Sequence, residues 1–236
     1  MSAHPNAVAY NPYFKKELTT TMIYGDKIIY RDLLTPFAKL LRNRIKQQYQ
    51  NTILVSGRTG SGKSTLAIQL CKAIDPKWDL ESNYIYSSED LKRKLRNRGD
   101  SSPISLLDEG SVSLNSYNSQ KTDDQRLTVL MDTCRSLGWT TVICIPNKDD
   151  LNKRIRNNHL DFMLRCPSQS VIPGYNPRGF YNLYTHEYRD WGKDYWMNVG
   201  CSIYDKLDKD VQTDYNKIKL RHQMELIDKF TEEDDE

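Results

Sequence analysis

No stretch of this chain approaches the roughly 18 consecutive apolar residues that a membrane-spanning helix needs. None of its 5 cysteines stands in a CxxC pair or beside a histidine at zinc-like spacing. The first absence argues against an integral membrane protein. The second, with an odd number of thiols scattered at 71, 134, 144, 166 and 201, argues against a disulfide scaffold or a zinc site and for reduced thiols in a cytoplasmic protein. Apolar residues are scarce as well. With the 11 Gly counted in place of the 15 Tyr they come to roughly 36%, against about 45–50% in ordinary globular chains. Charged residues make up 28%, and mean hydropathy is −0.73. The core is therefore modest, and much of the surface is wet or meets a partner. The opening residues hold no long apolar stretch behind a basic start, so no signal peptide is expected.

What remains is 236 residues, enough for one α/β domain with an arm or a small appendix. The net charge of +3 conceals an asymmetry. Residues 225–236 carry Glu225, Asp228, Glu232, Glu233, Asp234, Asp235 and Glu236 against Lys229, a net −6, which leaves +9 on residues 1–224. A basic body with an acidic tail suits contact with nucleic acid, the tail competing for the same surface; a solvated tail among scattered surface lysines is the simpler reading.

Along the chain, residues 1–20 are weakly patterned and read as an arm. Met22–Tyr30 reads as a strand or hairpin around Gly25 and Asp26, and Leu34–Gln50 as a helix. Thr52–Ser56 is a short apolar run, followed by an amphipathic helix over Thr65–Ile74. A strand at Tyr84–Tyr86, a basic helix at Glu89–Asn97 and an apolar strand ending at Leu107 come next. Leu114–Asp123 reads as a loop and Asp124–Leu137 as a helix. Then follow a strand at Thr140–Ile145, a helix over Asp149–Arg156 and a strand over His159–Cys166. Such alternation predicts a parallel α/β sheet flanked by helices. After Pro167 the pattern changes. Phe180–Tyr184 and Tyr195–Tyr204 alternate as a hairpin would, and Asp208–Phe230 is one long helix with Val211, Tyr215, Ile218, Met224 and Ile227 expected inward. Three segments result: 1–49 (arm, strand and helix), a core at 50–167, and 168–236 (hairpin, helix and acidic tail).

Chemistry concentrates at Gly57, Arg58, Thr59, Gly60, Ser61, Gly62, Lys63 and Ser64, followed by Thr65. This fits GxxxxGK[ST], with an apolar strand before it and an amphipathic helix after it. Glycines let successive backbone N–H groups turn toward one point at a helix N-terminus, which makes a phosphate cradle. Lys63 can reach the β- and γ-phosphates, Ser64 offers a hydroxyl to Mg²⁺, and Thr65 caps or packs. A second acid for the metal is supplied at the end of the strand ISLL by Asp108. Its neighbour Glu109 is suited to orienting or deprotonating a water. ATP and Mg²⁺ are the expected ligands.

The GRTGSGKST loop and the LLDE pair resemble the P-loop NTPases whose catalytic glutamate follows the Walker B aspartate. With QRLTVLMDTCRSLGW, the strand TTVICIP and the helix DDLNKRIRNN in that order, residues from about 50 to 167 resemble FtsK/HerA-type motor ATPases. That group includes Zot-like proteins and viral packaging or plasmid conjugation ATPases. The resemblance implies a recombinase-like sheet and ATP hydrolysis that drives translocation or packaging of nucleic acid, most simply DNA, by a homo-oligomer such as a ring. It also implies a γ-phosphate sensor at Asn147 (where the group often has Gln or Thr) and an arginine serving a neighbouring subunit, for which Arg135, Arg154 and Arg156 are candidates.

Other readings stay open. Asn147-Lys148-Asp149-Asp150 spells the guanine-reading NKxD of GTPases, although no DxxG follows Asp108 and the interval is one strand–helix unit short. A nucleotide or small-molecule kinase would need a basic lid. Lys92, Arg93, Lys94, Arg96 and Arg98 could form one, yet they precede the Asp108 strand. The same cluster could touch a phosphate backbone or be a solvated face. Aromatics at 175, 180, 181, 184, 188, 191, 195 and 196 could stack bases, form an interface or fill the hairpin's own small core. His159 and His186 are given no ligand role.

Overall fold

The computed structural model describes residues 7–24, 27–86, 88–97, 102–108, 129, 138–151, 153–168, 178–187 and 195–233. At its centre lies β4 (Asn51–Ser56), every residue of which is buried. A strand hydrogen-bonded on both edges and covered on both faces favours apolar residues, which Ile53, Leu54 and Val55 supply, while the buried Asn51 side chain is satisfied by hydrogen bonds to Tyr49 O and Thr140 Oγ1. Strand β7 (Thr140–Ile145) pairs with it in parallel, from Asn51 opposite Thr140 to Ser56 opposite Ile145. On the other edge runs β8 (Phe162–Arg165), also parallel. Beyond β7 lie β6 (Ile104–Leu107) and the two-residue β5 (Tyr84–Ile85).

Side chains alternate across this core. Ile53 and Val55 of β4 face one cluster with α1 (Leu34–Lys46) and α2 (Lys63–Ile74). Leu54 faces the other, with Leu91 of α4 (Ser88–Arg96) and Ile155 of α5 (Lys153–Asn158). A short α3 (Leu80–Asn83) leads into β5. Helices therefore cover both faces of a parallel sheet, the fold class that the alternation predicts.

The sheet does not stop at β8. Strands β9 (Phe180–Glu187) and β10 (Tyr195–Ile203) add an antiparallel hairpin to its edge, and β10 then pairs in parallel with β3 (Lys27–Tyr30). Of the arm expected over residues 1–20, β1 (Val8–Asn11) and the first part of β2 (Lys16–Tyr24) are strands instead, while the end of β2 pairs antiparallel with β3 as the hairpin expected over Met22–Tyr30 would. The run LTTTMIY is rich in β-branched residues, and pairing with β3 satisfies its backbone. Among the described residues ten strands lie in the order β1-β2-β3-β10-β9-β8-β4-β7-β6-β5.

Three further expectations change in detail. The helix expected over Asp149–Arg156 splits into a 3₁₀ turn at Lys148–Asp150 and α5, because Leu151 between them drops into the core at 1% exposure. The C-terminal helix α6 (Lys209–Glu233) buries Tyr215 and Ile218, but Met224 and Ile227 of the predicted inward stripe stand exposed. The helix outruns the sheet it packs on. Of the aromatic patch, Tyr181 is core and Tyr184 and Trp196 pack on the second cluster, which favours the hairpin-core reading for them. The loop Leu114–Asp123 and helix Asp124–Leu137 lie outside the described residues, apart from Val129, as do Tyr175, Tyr188 and Trp191.

One cation of the basic helix is not on the surface. Lys94 is buried, donates to Asn83 Oδ1, and sits 5.6 Å from the Trp139 ring centroid. Burial lowers its pKa to about 8. In the unfolded chain a lysine keeps its proton to about pH 10.4, so between these values the unfolded state binds more protons and stability rises with pH. Wild type should therefore gain stability relative to Lys94→Met as pH goes from 8 to about 10.4, a difference readable from urea unfolding of both proteins at each pH.

Candidate functional site

Strand β4 ends at Ser56 and the chain turns at once. Gly57 N–H donates to Pro146 O at 3.1 Å, tying the loop to the end of β7. The loop then closes on itself: Ser61 N–H donates to Arg58 O at 3.1 Å, and Lys63 Nζ donates to the same carbonyl at 3.2 Å. Lys63 thus rests against its own loop, within reach of any phosphate that enters. Residue 62 has φ +91°, a left-handed backbone, and a Cβ there would overlap the Tyr204 hydroxyl, so only glycine serves. Directly after it α2 begins at Lys63, and its first-turn N–H groups have no intrahelical acceptors.

Asp108 follows β6 and is 4% exposed. Because β6 and β4 run parallel on either side of β7, the carboxylate and the loop emerge at the same end of the sheet. Asp108 Oδ2 accepts a hydrogen bond of 2.5 Å from Tyr215 Oη, and Ser64 and Tyr215 line the same cleft. Lys63, Ser64, Thr65, Thr59, Gly60, Gly62 and Asp108 line one cleft of about 1220 Å³, ample for a nucleotide.

The C-terminal segment supplies the opposite wall, and the sequence analysis missed this. Tyr204 Oη donates to Ser61 O at 2.9 Å, while Gln69 Nε2 donates to Asp205 O at 2.5 Å. Arg178 stands over Gly60, its Nη2 3.3 Å from where a Cβ would be. With Lys63, Lys206, Lys209 and Lys219, it makes five cations against Asp108 and Asp205 among the lining residues. That balance suits a polyanion. Tyr215 was legible only as one apolar position in a helical stripe. Nothing in the local spelling near Arg178 marks it as close to the loop.

Burial, and then the charge of Asp108, push the Tyr215 phenol well above its ordinary pKa, so it stays a neutral donor. Burial likewise raises Tyr204 and takes the Cys166 thiol beside the loop up to about 11, which leaves it inert.

The other sequence candidates sit elsewhere. Asn147 follows β7 at the sheet's carboxyl end, but its side chain is exposed and accepts from Asp149 N–H at 3.4 Å, capping the 3₁₀ turn. Arg156 pairs with Asp149 at 2.9 Å on α5, and neither it nor the exposed Arg154 lines the cleft. Arg58 is exposed and is not among the residues lining the cleft. Glu109 and Arg135 lie outside the described residues.

The residues fit a magnesium nucleotide. Ser61 Oγ is buried with no partner beyond the weak Cys166 thiol. Ser64 and Asp108 present hard oxygens, the kind Mg²⁺ prefers, to the same cleft. Among the described residues there is no group of three His, Cys, Asp or Glu that could hold a metal.

A glycine loop at a helix N-terminus with Lys63 and Ser64, faced by a buried aspartate two strands away, defines a P-loop nucleoside triphosphatase. Residues 39–172, more than half of the chain, match the family described as Novel STAND NTPase 3. The chain belongs to that family and is an NTP-hydrolysing enzyme. No curated protein sequence matches it. Among solved structures it is similar to the N-terminal domain of zonular occludens toxin from Neisseria meningitidis, at 13% identity over 69% of this chain and 97% of that one, with a TM-score of 0.41. It is also similar to the genome packaging NTPase B204 from Sulfolobus turreted icosahedral virus 2 in complex with ATP-gammaS (13%, 58% and 92%, 0.40). A third likeness is to EccC (ATPases 2 and 3) from Thermomonospora curvata (14%, 76% and 39%, 0.37). These likenesses are distant.

Two substitutions test the cradle. Lys63→Ala should weaken nucleotide binding by roughly 10- to 100-fold, the range for losing charge-assisted hydrogen bonds. Gly62→Ala should also weaken it, by expelling Tyr204 and straining the backbone. Calorimetric titration with a non-hydrolysable ATP analogue reads both.

Proposed function

We propose that the chain is a cytoplasmic ATPase that couples hydrolysis to translocation or packaging of nucleic acid, most simply DNA, in a viral or mobile-element context, acting as a homo-oligomer. The observation that carries the reading is the convergence of Lys63, Ser64 and Asp108 at one end of the sheet, inside a cleft whose walls bear an excess of cations. The +9 body with its −6 tail supports a polyanionic partner. Helix α4 adds little to that surface, since Lys94 is buried and Arg93 pairs with Asp90 at 2.8 Å.

In this reading the loop N–H groups and Lys63 hold the phosphates. Ser64 and Asp108 would hold Mg²⁺, which when bound neutralises charge on the phosphate oxygens. Glu109 orients the attacking water as general base, and Asn147 turns from its capping role to sense the γ-phosphate. Arg178 can contribute a cation from the same chain. Arg156, or Arg135, serves the neighbouring subunit, and the position of Arg156 outside its own cleft supports that direction.

Base recognition is for adenine or loose. The Asn147–Asp150 stretch is folded into a capped turn and does not line the cleft. Nor does α4, so a kinase lid built from it gains no support.

Hydrolysis measured with and without double- and single-stranded DNA tests the proposal. Stimulation by either form is expected, and Glu109→Gln should keep ATP binding while losing turnover. Mixing Arg156→Ala with Glu109→Gln protein should restore activity that neither has alone. Phosphate appearing on a small acceptor, or a stronger preference for GTP, would overturn the reading.

A further inference from the structure

The cleft holds a hydrogen bond that a P-loop site does not need. Tyr215 Oη donates to Asp108 Oδ2 at 2.5 Å, in the cleft that Asp108 shares with Ser64. These are the two protein groups that suit a divalent cation here. One side chain of α6, 107 residues further along the chain, therefore holds the carboxylate of that pair. The phenol is a neutral donor whose O–H dipole points at the carboxylate. A cation drawn to that carboxylate meets the positive end of the dipole.

We propose that Tyr215 is a positioning residue that occupies the metal seat, and that Asp108 and Ser64 take a Mg²⁺–nucleotide only when the phenol lets go and the start of α6 shifts. The inference rests on the magnesium-nucleotide reading of the cleft.

The anchoring of α6 says where the shift would occur. Beyond Tyr215 the helix is pinned. Ile218 is 5% exposed in the main core, and Arg221 pairs with Glu81 at 2.9 Å. The His222 ring stacks on Tyr86 at 4.7 Å and on Tyr84 at 5.4 Å. Before Tyr215 the chain is held by Tyr204 to Ser61 O, by Asp205 O to Gln69, and by Tyr204, Leu207 and Val211, only partly buried, against the core. Gln212 and Thr213 line the cleft itself, and Lys209, Asp210, Thr213 and Asp214 are exposed. Residues 204–214 are thus the less buried part, with Ile218 and His222 beyond them as the fixed end. They also carry Lys206 and Lys209, so an incoming triphosphate draws on the same segment that the phenol restrains.

The test uses the full chain and a fluorescent ATP analogue, titrated in EDTA and in Mg²⁺. Tyr215→Phe, which keeps the ring and removes the donor, should tighten binding roughly tenfold in Mg²⁺ and leave it unchanged in EDTA. Hydrogen exchange on wild type needs no variant: amides of 209–216 should exchange faster with Mg²⁺ and the analogue than with neither, while 218–224 stay protected. Weaker Mg²⁺-dependent binding by Tyr215→Phe would mean that the phenol supports Asp108, and would overturn the proposal. Unchanged exchange at 209–216 on binding would overturn it too. A wild type that binds no nucleotide under either condition would sink the reading of the cleft itself, an outcome distinct from the other two.

Discussion

The parallel pairing of β4 with β7 fixes where every functional group can be. Six residues of each strand pair in register, and all twelve are buried. With β6 locked on the far side of β7, the loop after Ser56, the turn after Ile145 and the carboxylate after Leu107 open at one rim. A slip of one residue in β4 would turn Ile53 and Val55 from one core to the other. It would also carry the glycine loop to the wrong height against Pro146. The apolar interior and the chemistry at the rim are set by the same ladder of hydrogen bonds.

On that rim the phosphate cradle is only half of the cleft. The other half comes from Arg178, Gly179 and residues 204–219, where two phenols and an amide (Tyr204, Tyr215 and Gln69) stitch the halves together beside the apolar packing of Leu207, Val211 and Ile218. Polar contacts of this kind are individually small in net free energy, because each replaces a bond to water. Such bonds can be exchanged for a ligand's own contacts, while the apolar side of the wall stays packed on the core.

Much of this was legible in the sequence. Periodicity gave β4, α2, β6 and β7 nearly to the residue, since strands buried on both faces and a helix behind a glycine loop leave unmistakable spelling. The loop and Asp108 were legible for the same reason: their chemistry is local. Strands β1 and β2 were harder, because they alternate weakly and owe their form to β3. Arg178, Tyr204 and Tyr215 were harder still. Each acts on a residue more than 100 positions away, and the contact exists only because β9 and β10 join the sheet between them. A tyrosine in a helical stripe spells packing, and only the three-dimensional neighbour turns it into a hydrogen-bond donor to a buried acid.

The pairing of β3 with β10 bears on how the chain is made. Cys201 and Ser202 lie opposite Ile29 and Tyr30, Ser202 Oγ donates to Tyr30 O at 2.9 Å, and Asn11 Nδ2 donates to Val199 O at 3.0 Å. Residues 8–30 therefore wait for residues some 170 positions later before their sheet edge is covered. During synthesis β1–β3 leave the ribosome first with an open edge, while the middle of the chain assembles around β4 and β7. Contacts so distant in sequence form slowly. The nascent chain would thus expose a strand edge, and with it a risk of pairing with another chain, until β10 arrives. The C-terminal wall of the cleft follows β10 directly. Closure of the sheet and completion of the nucleotide site are the same late event in the life of the chain.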